Sequence, residues 1–187
     1  MKHLPIFLIC LMLSCVFSCG RKHQSKEYDI LAQYRDTLIG NFNGLEIDTL
    51  IAEPIDTILE RGMWDWEIKC KNGKVIPLTL QQRFSVRFTA EGDLDGNGTD
   101  EFGIRSEKEN GTWDSYMVYT YKGDEWQYLI KPIWTYSTHF YDSLNNGANV
   151  VQPINTKGMV KVRFSDIRND DFCIIDTLIR INPQSIQ

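Results

Sequence analysis

Residues 83–106 run Arg83-Phe84-Ser85-Val86-Arg87-Phe88-Thr89-Ala90-Glu91-Gly92-Asp93-Leu94-Asp95-Gly96-Asn97-Gly98-Thr99-Asp100-Glu101-Phe102-Gly103-Ile104-Arg105-Ser106. Apolar and polar residues alternate from Arg83 to Ala90, the period of a strand with one face on a core. Alternation resumes at Phe102, Ile104 and Ser106. Between the two strands lies an acidic loop, 93–101, with oxygen-bearing side chains at Asp93, Asp95, Asn97 and Glu101. Glycines stand at 96 and 98, where the backbone must curl. The stretch therefore predicts strand, metal-holding loop, strand.

The rest of the chain extends that pattern. Asn110-Gly111 offers the chemistry of a tight hairpin turn, with a return strand over Trp113 to Tyr121. Lys122-Gly123-Asp124 makes the next turn, and Trp126, Tyr128 and Ile130 alternate until Pro132. Upstream, Trp66, Ile68 and Cys70 lead into Asn72-Gly73, and Ile76, Leu78 and Leu80 lead out of it, as a second hairpin. Val160, Val162 and Phe164, a turn at Asn169-Asp170-Asp171, and Phe172 to Ile181 complete the series. Helical spacing is best over Glu27 to Asp36, where Ile30, Leu31 and Tyr34 share a face.

Calcium is the ion this loop suits. It takes six to eight hard oxygen ligands, and alternate residues of a curled loop turn their oxygens inward. Asp93, Asp95 and Asn97 would each give a side-chain oxygen, Thr99 its backbone carbonyl, and Glu101 one or two oxygens at the closing position. Asp100 would point outward or brace the loop, or else exchange roles with Glu101. At roughly millimolar external calcium, a dissociation constant of about 10⁻⁴ M gives occupancy and about 1.4 kcal/mol of stabilisation, a structural role.

Gly40-Asn41-Phe42-Asn43-Gly44 stands about fifty residues ahead of Gly92-Asp93-Leu94-Asp95-Gly96 and looks like a worn copy of it. It lacks the Asn97 and Gly98 equivalents and carries Thr49 where Glu101 stands, so it turns the chain without holding a cation. Candidate strands near Ile47 to Ala52, Trp64 to Cys70, Lys74 to Leu80 and Arg83 to Ala90 amount to one propeller blade. In these features the sequence resembles the FG-GAP and VCBS repeat family, whose loops run Asp-x-Asp/Asn-Gly-Asp-Gly-x-x-Asp/Glu between strands. Asp93 to Glu101 followed by Phe102-Gly103-Ile104 carries the likeness. The resemblance implies propeller-type blades, but a closed propeller needs at least four. The expected fold is all-β: antiparallel blade-like sheets in two or three incomplete propeller-type units, not a closed propeller, with a short N-terminal helix.

At the N-terminus Lys2 precedes an apolar stretch from Leu4 to Phe17 that is short for a membrane span, which needs about 20 residues. Residues 1–18 are expected to be an export signal. Val16-Phe17-Ser18-Cys19-Gly20 resembles a bacterial lipoprotein lipobox, with Met12-Leu13-Ser14-Cys15 as second choice. The resemblance implies lipid attachment at Cys19, or Cys15, a tether over 19–27 and one domain over 28–187. The protein would then lie in the bacterial cell envelope, held by its lipid, at the outer membrane, on either the periplasmic or the surface face.

A net charge of −5 argues against a nucleic-acid partner. Of five cysteines, only Cys70 and Cys173 enter the domain; they form a disulfide, or each sits alone on an apolar strand face. His139 is the single histidine of the domain, and no nucleophile elbow, phosphate loop or zinc pattern is present. Carboxylates at Asp65, Glu67, Glu53, Asp56 and Glu60 leave room for a second reading, an envelope hydrolase acting on glycans through paired acids. The aromatic-rich middle of the chain is expected to be mostly core, with Trp64 and Trp134, at strand ends, exposed for a glycan or protein partner. The first reading is a calcium-bearing binding module in the envelope, its ligand an envelope protein or glycan.

Overall fold

Side-chain alternation becomes burial alternation where a strand has one covered face in the computed structural model, which describes residues 30–55, 62–107, 112–140, 150–168, 172–182 and 184–185. In β3 (Trp64–Cys70) buried and half-buried residues alternate without a fault, Trp64, Trp66, Ile68 and Cys70 facing inward. Among the described residues strand makes up 61% and helix 4%, so the fold is all-β. Two units, Met1–Ile30 and Leu31–Gln187, are distinguished. The signal stretch, Cys15, Cys19, the tether, and the turn residues Asn110-Gly111 and Asn169-Asp170-Asp171 lie outside the described residues. No described helix is long and apolar enough to cross a membrane.

Among its described residues the second unit contains three antiparallel sheets. The first is a meander of β1 (Asp36–Gly40), β2 (Asp48–Pro54), β3 and β4 (Leu78–Arg83), each strand paired with the next. The second runs β5 (Arg87–Gly92), β6 (Glu101–Glu107), β7 (Trp113–Lys122) and β8 (Glu125–Tyr136), with the two-residue β12 (Gln184–Ser185) on the outer edge of β8. The third is β9 (Val151–Pro153), β10 (Met159–Ser165) and β11 (Ile174–Arg180), with β10 in the middle. None of the three closes into a barrel, and two four-strand meanders with a shorter third match incomplete blade-like units.

The second sheet is the central layer because both of its faces are covered. Phe88, Phe102, Ile104, Met117 and Tyr119 pack with Leu50, Trp66, Ile68 and Leu80 of the first sheet. On the reverse face, Tyr116, Val118 and Ile130 pack with Val151, Val160 and Val162 of the third. Two-sided burial accounts for the unbroken buried run from Asp114 to Thr120 in β7, where a one-sided strand would alternate. Phe102 is a hub, with ring centroids 5.8 Å from Phe42, 5.5 Å from Phe88, 5.7 Å from Tyr119 and 5.2 Å from Trp126.

Several expectations are corrected. The strand over Arg83 to Ala90 is in fact two: β4 ends at Arg83, β5 begins at Arg87, and Phe84-Ser85-Val86 carries the chain from the first sheet to the second. The blade frame moves accordingly, with β1 supplying the fourth strand of the first sheet. In place of a helix over Glu27 to Asp36, the described part holds a 3₁₀ turn, Ile30–Tyr34. Asp36 starts β1 instead, where its carboxylate accepts the Phe88 N–H at 2.7 Å, a tertiary bond that overrides helical spacing. Strand β8 does not stop at Pro132. Tyr116 pairs with Ile133 and Val118 with Ile130, so the proline sits in a bulge where no ladder donor is needed. A one-turn helix, α1 (Ser137–Phe140), follows β8.

Candidate metal centre

The loop 93–100 joins β5 to β6, and its shape is set by its own carboxylates. Asp93 Oδ1 accepts from the N–H groups of Gly96 at 2.8 Å and Asn97 at 3.0 Å, and Asp93 Oδ2 from Gly98 at 3.0 Å. Asp95 Oδ1 accepts a further bond from Asn97 N–H at 3.0 Å. Such bonds draw the backbone around the acids, and they require Gly96 (φ 74°) and Gly98 (φ 88°) to turn left-handed, which glycine does without strain. Oxygen atoms of Asp93, Asp95 and Glu101 come within 4.8 Å of one another. This cluster can hold a metal ion.

Glu101 is the deepest of the three, with no exposed surface. Its Oε2 accepts the Leu94 N–H at 2.6 Å and its Oε1 the Thr120 hydroxyl at 2.8 Å. Burial raises its pKa from 4.5 to about 7, with repulsion from Asp95 and Asp93 acting the same way and the two hydrogen bonds opposing it. Among the described residues no lysine or arginine forms an ion pair with any member of the cluster. The donor set is all hard oxygen, which suits calcium or magnesium far better than a soft metal.

Two other expected ligands occupy different places. Asn97 Oδ1 accepts both the N–H of Thr99, at 2.6 Å, and its hydroxyl. Its amide nitrogen reaches Thr120 Oγ1 at 3.4 Å. Thr99 is buried. Three of the five residues thus meet as carboxylates, while the Asn97 oxygen is already bonded twice. Asp100 braces the loop: its Oδ2 accepts the Asn41 N–H at 2.6 Å, and its own N–H donates to the Asn41 carbonyl at 2.8 Å. The worn loop therefore docks on the intact one, and Phe42, beside Asn41, is buried against Phe102.

The sequence reading missed a second acid beside this site. Glu91 is the extra residue where Ala90 pairs with Phe102 and Gly92 with Glu101, and its carboxylate accepts the Tyr116 hydroxyl. Burial raises its pKa to about 8, with Glu101 adding to the rise and the Tyr116 bond opposing it. Gly103 makes this pair possible, since a Cβ there would stand 1.9 Å from Tyr116 Oη. That glycine was the available signal, a strand-interior residue marking a close approach.

The remaining candidates separate. Trp64 is buried at 8% exposure, correcting its expected exposure; its ring packs 4.5 Å from Tyr34 and 6.4 Å from Trp66, because β3 faces the first core. Trp134 is exposed, at 39%. With Ile133, Phe164 and Ile167 it lines a largely apolar groove of about 360 Å³ where Pro132 and Arg168 also lie. Cys70 is buried at the end of β3, Cys173 is exposed ahead of β11, and both thiols are free, so the disulfide alternative falls. Glu53 and Glu67 both bond Lys69, and Asp65 Oδ1 accepts the Gln82 N–H at 2.9 Å. These acids are tied into the first sheet rather than converging on a cleft; Asp56 and Glu60 lie outside the described residues, as does the side chain of His139. No family model, curated protein or solved structure matches the chain.

Proposed function

We propose that this chain is a calcium-stabilised binding module of the bacterial cell envelope, exported by residues 1–18 and held to a membrane by lipid on Cys19. The observation that carries the metal is the meeting of Asp93, Asp95 and Glu101 within 4.8 Å, one of them buried, with no basic side chain among the described residues ion-paired to them. Uncompensated charge of that density in a half-buried site is costly, and a divalent cation removes the cost. Glu101 closes the shell, the Thr99 carbonyl and waters fill it, and Asn97 joins by turning its amide. The ion ties the ends of β5 and β6 together next to Phe102, and through Asp100 it steadies the worn loop at Asn41. The likeness to FG-GAP and VCBS loops supports the same ion in the same place.

Binding rather than catalysis is favoured by the disposition of the acids. The carboxylates that could have formed a hydrolytic pair are engaged by Lys69 and by backbone, whereas the exposed Trp134 groove offers a contact surface. Affinity capture from envelope extract, run in calcium and in chelator, tests the reading. The full chain should recover a partner in calcium and less of it in chelator, and Asp95→Ala should recover less in either. Equal recovery throughout would detach the metal from function. Labelling with a clickable fatty acid tests the anchor: label should appear on the native chain and vanish in Cys19→Ala combined with Cys15→Ala.

A further inference from the structure

The edge strand β4 ends in a distortion that the metal site does not use. Trp64 of β3 pairs with Arg83 and Trp66 with Leu80, so two steps along β3 meet three along β4, and the extra residue lies at Gln81-Gln82. Gln82 takes φ 53°, left-handed backbone that a residue with a side chain seldom adopts. Two bonds from neighbouring side chains hold the bulge: the Gln82 N–H donates to Asp65 Oδ1 at 2.9 Å, and Trp66 Nε1 donates to the Arg83 carbonyl at 3.1 Å. Bulges of this kind re-aim side chains beside functional sites, and strain of this kind persists where the surroundings enforce it.

What this bulge builds is a pocket of about 420 Å³ between β4 and the β7–β8 ladder, whose polar lining is Thr79, Gln81, Gln82, Arg83, Tyr119 and Tyr128. Among the described residues no acid lines it, in a chain whose net charge is −5. Arg83 Nε is buried, and among the described residues it has no hydrogen-bond partner and no carboxylate pairs with the guanidinium. Buried polar groups are ordinarily satisfied, so an unanswered guanidinium nitrogen points to a partner that comes from outside. Across from it the Tyr119 and Tyr128 hydroxyls lie 3.3 Å apart. One proton joins them. Tyr119 is fully buried, which leaves the Tyr128 hydroxyl to face a ligand.

We propose that this pocket binds a sugar acid, a monosaccharide-sized ring bearing one carboxylate. The acid seats on the Arg83 guanidinium, which matches a planar carboxylate with paired donors. The ring hydroxyls meet Tyr128 and the amides of Gln81 and Gln82, which both donate and accept. The volume falls in the range of small-molecule sites, roughly 300–1,000 Å³. An uncharged sugar would leave Arg83 unanswered, and a bare carboxylic acid would leave the amides and Tyr128 to water. The inference rests on the binding-module reading and names a ligand class for it, at a place distinct from the Trp134 groove.

Calorimetric titration of the full chain with D-glucuronate, D-glucose and acetate, in calcium, tests it. Glucuronate should bind, glucose and acetate at least about tenfold more weakly, since each lacks one set of contacts. Arg83→Gln should weaken glucuronate tenfold or more, Arg83→Lys less, and Tyr128→Phe several-fold, with melting temperatures near that of the native chain. Should Arg83→Gln fail to fold, Tyr128→Phe and Gln81→Ala carry the test. Equal affinity for glucose overturns the acid; equal affinity for acetate overturns the sugar. Silence towards glucuronate up to about 10 mM overturns the site altogether. If envelope capture still recovers a partner then, the pocket alone falls; if it recovers none, the binding-module reading falls with it.

Discussion

Glu101→Gln should make the metal-free protein more stable at neutral pH. In the native chain Glu101 is fully buried between Asp93 and Asp95, and its pKa stands at about 7 against 4.5 unfolded. Between those values the folded state holds a proton that the unfolded state has lost, so stability falls as pH rises through the window and levels off above it. A difference of 7 against 4.5 corresponds to about 3 kcal/mol at most, taking 1.36 kcal/mol per unit. The substituted glutamine keeps the shape without the charge: its oxygen accepts from Leu94 N–H, and its amide donates to Thr120 Oγ1, whose proton then turns elsewhere. In chelator, urea unfolding followed by tryptophan fluorescence should show the variant equal to the native chain near pH 4.5 and more stable at pH 8. With a urea slope of about 2 kcal/mol/M the midpoint gain is about 1–1.5 M. Calcium should narrow the gap, because the native carboxylate regains a counter-charge and the variant has lost a ligand. A variant less stable than the native chain in chelator at pH 8, or a gap indifferent to calcium, would refute the electrostatic account of this loop.

Three further outcomes follow from the packing. Gly103→Ala forces a Cβ to within 1.9 Å of Tyr116 Oη and 2.4 Å of its Cζ, so it should cost about 2–4 kcal/mol by overpacking and by loss of the Glu91 bond, read by thermal melting and partly restored by Tyr116→Phe. In the chain from Gly20 onward, alkylation without reductant should modify Cys173 quickly and Cys70 only on unfolding, since Cys70 is buried and burial pushes its thiol up to about 12; two protected thiols that appear only on reduction would restore the disulfide. Iodide should quench Trp134 and spare Trp64, tested by replacing each with phenylalanine.

Strand and turn chemistry were legible wherever a strand has one covered face. β3 alternates in sequence as it does in burial, and the Gly123-Asp124 turn is left-handed at both residues, as its hairpin requires. Legibility failed where three-dimensional context decides. Arg83 to Ala90 keeps a perfect period across a change of sheet, because period reports which face is apolar and not which partner strand is paired. Trp64 looked like an exposed strand end, yet Tyr34, far from it in sequence, covers it. At the metal loop the carboxylates and glycines were readable from spacing. The docking of Asn41 on Asp100 was not, nor was the Glu91 pair, because each joins residues that only the sheet register brings together.

The central claim is that the loop at 93–101 holds calcium. Calorimetric titration of calcium into chelator-treated protein at neutral pH tests it most directly. One ion per chain is expected, with a dissociation constant of about 10⁻⁴ M or tighter, abolished by Asp95→Ala and weakened by Glu101→Gln. No saturable heat at several times that concentration, or a site that survives Asp95→Ala unchanged, would contradict it.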